Sequence, residues 1–160
     1  MSAVSRLSVN VNAIAMLRNR RDLPWPSVTG LAAIAMEAGA KGITVHPRPD
    51  ERHIRKSDVF ELAELIEDSF PNKELCIEGY PSEDFMRLVE EARPEQVLFV
   101  PDDPEQTTSD HGWDFAGDTG LLETAIAASK EWAVSVSLFC DPDPAAPEHA
   151  ARIGAEVIEL

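Results

Sequence analysis

The chain has 160 residues, 44% hydrophobic and 27% charged, the composition of a globular domain rather than of a disordered or fibrous chain. Its 29 acidic against 14 basic residues leave a formal net charge of −15, a field that repels nucleic acid and anionic membrane, so neither is expected as a partner. Cys76 and Cys140 lack metal-ligand spacing and exclude a disulfide framework or structural zinc site, and no apolar run suits a signal peptide or the ~20 residues of a membrane span. A soluble, cytoplasmic protein is expected.

Along the chain, short β-branched apolar runs bounded by turn residues predict strands at 7–11, 42–46, 75–78, 97–100, 134–139 and 157–160, buried on both faces. Helical patterns fall between them. Residues 27–38 have Ser27 as N-cap and Gly39 as the stop, and 57–70 place Val59, Leu62, Ala63 and Ile66 on one face. Residues 82–92 open with Ser82 as a cap and carry Glu83 and Asp84 in the first turn, where acids suit the helix dipole. Two more helices are expected at 120–132 and 145–153. Alternating strands and helices demand parallel pairing with right-handed crossovers.

A doubly wound sheet and a (β/α)8 barrel both satisfy that order. Neither GxGxxG after the first strand nor GxxxxGK[ST] is present. The barrel is favoured by where the polar residues fall: Asn10 and Asn12, His46 and Arg48, Glu78, Pro101 and Asp102, and Asp141 lie at or just past strand ends, the face on which barrels build their sites. The fold class is therefore read as α/β, a TIM (β/α)8 barrel type, with about six of the eight βα units. It is expected as one domain over residues 1–160, truncated before the last strands, with uncovered edges that favour self-association.

Basic residues concentrate in two windows after the first and second strands: Arg18, Arg20 and Arg21, then Arg48, Arg52, Arg55 and Lys56. Guanidinium forks match phosphate oxygens, so the clusters suit two phosphorylated ligands or one bisphosphate. The plainer alternative is surface charge balanced by Asp22, Asp50, Glu51 and Asp58. That alternative is preferred for Arg55 and Lys56, and ligand binding for Arg48 between two prolines.

His46 ends a strand, where an imidazole is suited to moving protons, with a structural histidine as the alternative. His53 lies in the polar loop beyond and could reach the same ligand. Glu78 ends a buried apolar strand, where desolvation favours acid–base use, with an ion pair to one of the arginines as the alternative. Asn10 and Asn12 alternate with Val9 and Val11, which predicts both amides facing inward at the mouth of the first strand, where they would hydrogen-bond a polar substrate. The hydroxyl-rich loop 101–114 is long for a βα connection and suits substrate binding or a lid, with a plain surface loop as the common alternative. The cysteines read as core, and Trp25, Trp113 and Trp132 as packing or interface groups.

The segments SVNVNAIAMLRNRR, GITVHPRPDERHIR, IEGYPS and VPDDPEQTTSDHGWD, taken in order, resemble the signature segments of the pyridoxine 5′-phosphate synthases, barrel enzymes that close the pyridine ring of vitamin B6. The resemblance implies condensation of 3-amino-2-oxopropyl phosphate with 1-deoxy-D-xylulose 5-phosphate, using neither metal nor organic cofactor, in a homo-oligomer, typically an octamer. It implies that Asn10 and Arg21 contact the aminoketone phosphate, that Arg48, His53 and Thr108 contact the deoxyxylulose phosphate, and that His46 and Glu78 are proton acceptors. Some members carry Asp-His in place of Asn12-Ala13, and Asn is common in place of Cys76. The family's proton-donor histidine and late Gly-rich phosphate loop follow the sixth strand. A non-catalytic alternative is a half-barrel that binds sugar phosphate or a partner subunit, expected to keep ligand affinity when Glu78 is changed to Gln.

Overall fold

The computed structural model describes residues 5–21, 23–102, 106 and 108–160; Asp22 and parts of the loop at 103–105 and 107 lie outside the described residues. The chain divides into two compact units, Met1–Cys76 and Ile77–Leu160. The boundary falls inside the third strand.

The first unit opens with strand β1 (Ser8–Asn10), followed by helices α1 (Asn12–Asn19) and α2 (Val28–Glu37), strand β2 (Gly42–Val45), helix α3 (Lys56–Ser69) and the start of strand β3 (Glu74–Gly79). β1 and β2 run parallel, with Ser8 opposite Gly42 and Asn10 opposite Thr44, and the Ser8 and Thr44 hydroxyls meet at 2.8 Å. Ser27 caps α2 as expected, its Oγ accepting the Gly30 N–H at 3.0 Å, and Gly39 follows that helix with φ of 111°. On α3, Val59, Leu62 and Ile66 are buried together, and Ala63 is half-buried. These side chains, with Ile43, Val45, Ile54 and Met36, form the apolar core of the unit.

The second unit holds the end of β3, helix α4 (Glu83–Ala92), strand β4 (Gln96–Phe99), helix α5 (Gly120–Glu131), strand β5 (Ser135–Phe139), helix α6 (Ala146–Ile153) and strand β6 (Val157–Glu159). Its sheet order is β3-β4-β5-β6, and both β4 with β5 and β5 with β6 are parallel. Ser82 caps α4 by accepting the Phe85 N–H at 3.3 Å. Phe85 then meets Phe99 edge to face at 6.3 Å, an arrangement favoured by the ring quadrupoles. Both cysteines are free and buried.

Two expectations are corrected. β1 and β6 are not buried on both faces: each is three residues long with exposed flanks, because each stands at an end of its sheet order and has one strand partner there. The first predicted strand also stops early. The Asn10 Oδ1 accepts the Asn12 N–H at 2.9 Å, a local turn that competes with strand extension, and the Ala, Met and Leu residues that follow favour helix. Asn12 is thus the first residue of α1 rather than a second inward amide on the strand.

The loop after β4 is tied to the exit of β5. The Trp113 indole N–H donates to the Phe99 carbonyl at 2.9 Å and its ring stacks on Tyr80, so this tryptophan packs as expected. Next to it, the Gly112 N–H donates to Asp141 Oδ1 at 2.9 Å, and a methyl group on Gly112 would overlap the Cys140–Asp141 backbone. Backbone yields less readily than a flexible side chain. Gly112→Ala is therefore expected to destabilise the second unit by about 1–3 kcal/mol in denaturant unfolding, and a loss below about 0.5 kcal/mol would show that the loop adapts freely.

Candidate active site

In the first unit the candidate residues gather where β2 ends. His46 and Arg48 are 5% and 4% exposed, and the Arg48 N–H turns back to the His46 carbonyl at 3.0 Å. The His46 and His53 rings lie 5.9 Å apart, centroid to centroid. Asn12 reaches the same point from α1: its Oδ1 accepts the His46 N–H at 2.9 Å. That carboxamide positions the proton-transfer candidate through its backbone, and Asn10 in turn fixes Asn12. Asn10 is exposed at the end of β1, and Arg21 is exposed just past α1.

The arginine windows divide differently from the expectation. Arg18 is 9% exposed and forms a two-point ion pair with Asp58, Nη1 to Oδ1 and Nη2 to Oδ2, the latter at 2.9 Å. Its guanidinium is thus committed to α3, and its place among the phosphate ligands is withdrawn. Arg52 pairs with Asp50 at 2.7 Å, while Arg55 and Lys56 are exposed around the start of α3. Burial raises the Asp50 carboxyl, but hydrogen bonds and charge from Arg52, with a contribution from Arg48, outweigh it and hold the group below its usual range. Of the second basic window, Arg48 is the buried cation beside the two histidines.

His53 is held neutral. Burial is the main cause, and positive charge at His46, Arg48 and Arg52 adds to it against the opposing Asp50, lowering its pKa from 6.5 to about 4. The unfolded chain therefore binds a proton at His53 that the folded chain refuses between those two values, so stability rises with pH across that window. Above about pH 6.5 both states are neutral and the contribution is constant. The melting temperature is expected to fall as pH drops from 7 to 5, with part of the fall removed in His53→Gln; equal acid slopes in the two proteins would exclude this cause.

In the second unit Glu78 is half-buried near the end of β3. The Ser109 hydroxyl stands between two carboxylates, 2.7 Å from Asp102 Oδ2 and 3.3 Å from Glu78 Oε1. A hydroxyl has one proton, and the shorter contact assigns it to Asp102. Glu159 ends β6, and its carboxyl is raised first by desolvation and then by the charge of Glu78. Thr108 is exposed beside Ser109.

Sequence reasoning placed Asp102 at a strand end on the site-bearing face without giving it a role, and passed over Ser109 and Glu159. Glu159 and Asp102 carry the same signal that singled out Glu78, an acid at or just past a strand end. Ser109 carries none, since its loop offers several equivalent hydroxyls. Among the described residues no three His, Cys, Asp or Glu side chains gather to hold a metal ion, and no helix is long and apolar enough to cross a membrane.

Residues 7–160 match the family model described as pyridoxal phosphate biosynthesis protein PdxJ. The chain belongs to the PdxJ family. It is 61% identical over 156 residues to the pyridoxine 5′-phosphate synthase of Mesorhizobium japonicum, covering 98% of this chain and 63% of that one. To the protein of the same name from Brucella anthropi it is 60% identical, covering 98% of this chain and 64% of that one. The chain thus spans slightly less than two thirds of the length of these curated relatives. Among solved structures, the YdjI aldolase of Escherichia coli K12 superposes with a TM-score of 0.62 at 15% identity, covering 94% of this chain and 52% of that one. The aldolase QR15 gives 0.59 at 13% identity, covering 96% and 75%. At such identities the likeness concerns fold alone, and it bears out an α/β class of the (β/α)8 barrel type with six parallel strands present.

Proposed function

We propose that this PdxJ-family chain serves pyridoxine 5′-phosphate synthesis, the condensation of 3-amino-2-oxopropyl phosphate with 1-deoxy-D-xylulose 5-phosphate in vitamin B6 formation. The observation that carries the reading is the identity of about three residues in five, over nearly the whole chain, to proteins named pyridoxine 5′-phosphate synthase. The local chemistry agrees with it. Arg48 is a buried cation beside His46 and His53, and the planar fork of a buried guanidinium gains from a doubly charged phosphate what an exposed one leaves to water. In this reading Arg48, His53 and Thr108 hold the deoxyxylulose phosphate, and Asn10 and Arg21 the aminoketone phosphate.

His46 and Glu78 serve as proton acceptors. Imine formation, loss of phosphate and ring closure are successive proton transfers, each of which needs a positioned acid or base. Asn12 sets His46 through its N–H, and the Ser109 hydroxyl stands against both the Glu78 and Asp102 carboxylates. Clamping both phosphates aligns amine with carbonyl and converts a bimolecular encounter into an oriented one. The scheme calls for neither metal nor organic cofactor, and places the protein in the cytoplasm as a homo-oligomer.

The test is direct. The chain, alone and supplemented with the carboxy-terminal part of a curated relative, is mixed with both substrates, and pyridoxine 5′-phosphate is followed by mass spectrometry. Product in either arm is expected. Measurable affinity for the substrates without product in either arm would instead support a sugar-phosphate-binding module, and the absence of both would overturn the reading.

A further inference from the structure

His53 sits in a hydrogen-bond network whose consequence reaches beyond holding a loop. Its carbonyl oxygen accepts from Asn19 Nδ2 at 2.7 Å and from Arg18 Nη2 at 3.3 Å. Arg18 is itself anchored by Asp58, and Asn19 Oδ1 accepts from Arg18 Nη2 at 3.0 Å, so both donors are fixed before they reach the loop. A peptide unit is planar and trans, with its C=O and N–H pointing in opposite directions. Gripping the His53 oxygen therefore aims the N–H of Ile54, which belongs to the same plane. That N–H donates to His53 Nδ1 at 2.9 Å. A ring nitrogen that accepts a hydrogen bond carries no proton, and the proton of the neutral imidazole is then on Nε2.

We propose that Arg18 and Asn19 are positioning residues that lock His53 as its neutral Nε2–H tautomer, making it a fixed, uncharged donor to a phosphate-monoester oxygen. The ligand half of this inference rests on the reading of His53 as a phosphate contact. The groups around the ring divide accordingly: His46, Arg48 and Arg52 disfavour a proton on it and Asp50 favours one, while Arg18 and Asp58 stand behind its carbonyl. Positive charge for the phosphate comes from Arg48, and direction comes from His53. A second cation next to Arg48 would repel it when the site is empty; a neutral donor does not.

The lock is read by nitrogen NMR on the chain labelled with 15N-histidine, with His53 assigned through His53→Gln. At pH 7 the ring is expected to show a pyridine-like Nδ1 and a protonated Nε2, unchanged on acidification to about pH 5. Asn19→Ala, at a half-buried position, and Arg18→Lys, which keeps the charge and loses the fork, are expected to move both nitrogens toward tautomer averaging. The same variants should weaken binding of 1-deoxy-D-xylulose 5-phosphate about five- to tenfold, with His53→Asn weakening it at least as much. A wild-type ring protonated on Nδ1, or unaltered shifts and affinity in Asn19→Ala, would overturn the proposal. If the variants shift the ring as expected while the wild-type chain shows no affinity for the sugar phosphate, the lock stands and the phosphate assignment falls.

Discussion

Asp58→Ala is expected to lower the stability of the chain by about 3–5 kcal/mol, the cost of leaving a buried guanidinium without its partner. Asp58 is 3% exposed and takes both Arg18 contacts, and its Oδ2 also accepts the Arg55 N–H at 2.8 Å at the start of α3. That second bond is half of a capping box, since a guanidinium at the cap position has no acceptor to return, and its loss adds about 1 kcal/mol. The size of the effect comes from desolvation rather than from attraction. Replacing the whole pair by apolar residues, as in Arg18→Met with Asp58→Leu, is therefore expected to restore most of the loss, because no buried charge is then left alone. The double variant separates stability from function: it should melt near the wild type yet release the His53 carbonyl from Arg18. Equal stability of Asp58→Ala and wild type in denaturant unfolding would show that the pair is hydrated in solution.

Glu78→Gln is expected to reduce kcat for pyridoxine 5′-phosphate formation by about 10²–10⁴-fold, with KM for either substrate changed by less than about threefold. The amide matches the carboxylate in shape, and its oxygen can still accept from Ser109, but it cannot take up a proton. Loss confined to kcat assigns Glu78 to proton transfer. A matching rise in KM with kcat intact would assign it to substrate binding instead. Ser109→Ala tests the neighbouring hydroxyl in the same assay, and its effect should be smaller because Glu78 and Asp102 both remain.

The alternation of buried apolar runs with capped helical segments made the α/β order legible from sequence, since strand burial and helix capping each rest on residues close together in the chain. Ser27, Ser82 and Gly39 performed their expected roles for the same reason. Local spacing misled at Asn12, where two-residue alternation continued the strand pattern although a turn from Asn10 had already begun a helix. His46 and Glu78 could be singled out because an ionisable residue that closes an apolar strand is conspicuous without any partner in view. Arg18 could not be separated from Arg20 and Arg21, because burial beside Asp58 is decided 40 residues away.

By itself, then, the sequence determined the order of the strands and of five of the six helices, the buried faces of the inner strands and the positions at which charged side chains emerge from strands, because these follow from periodicity and from the cost of burying polar groups. Only the tertiary structure decided which charges and polar groups are spent inside the protein. Arg18 went to Asp58, the Asn12 carboxamide to the His46 backbone, and the Ser109 hydroxyl to Asp102. It also decided the proton on His53, since that depends on the direction of one peptide plane, gripped by side chains from a helix far earlier in the chain. Hydrogen bonds are directional and short-ranged, and no spacing along the chain encodes where two distant segments bring donor and acceptor within 3 Å of each other.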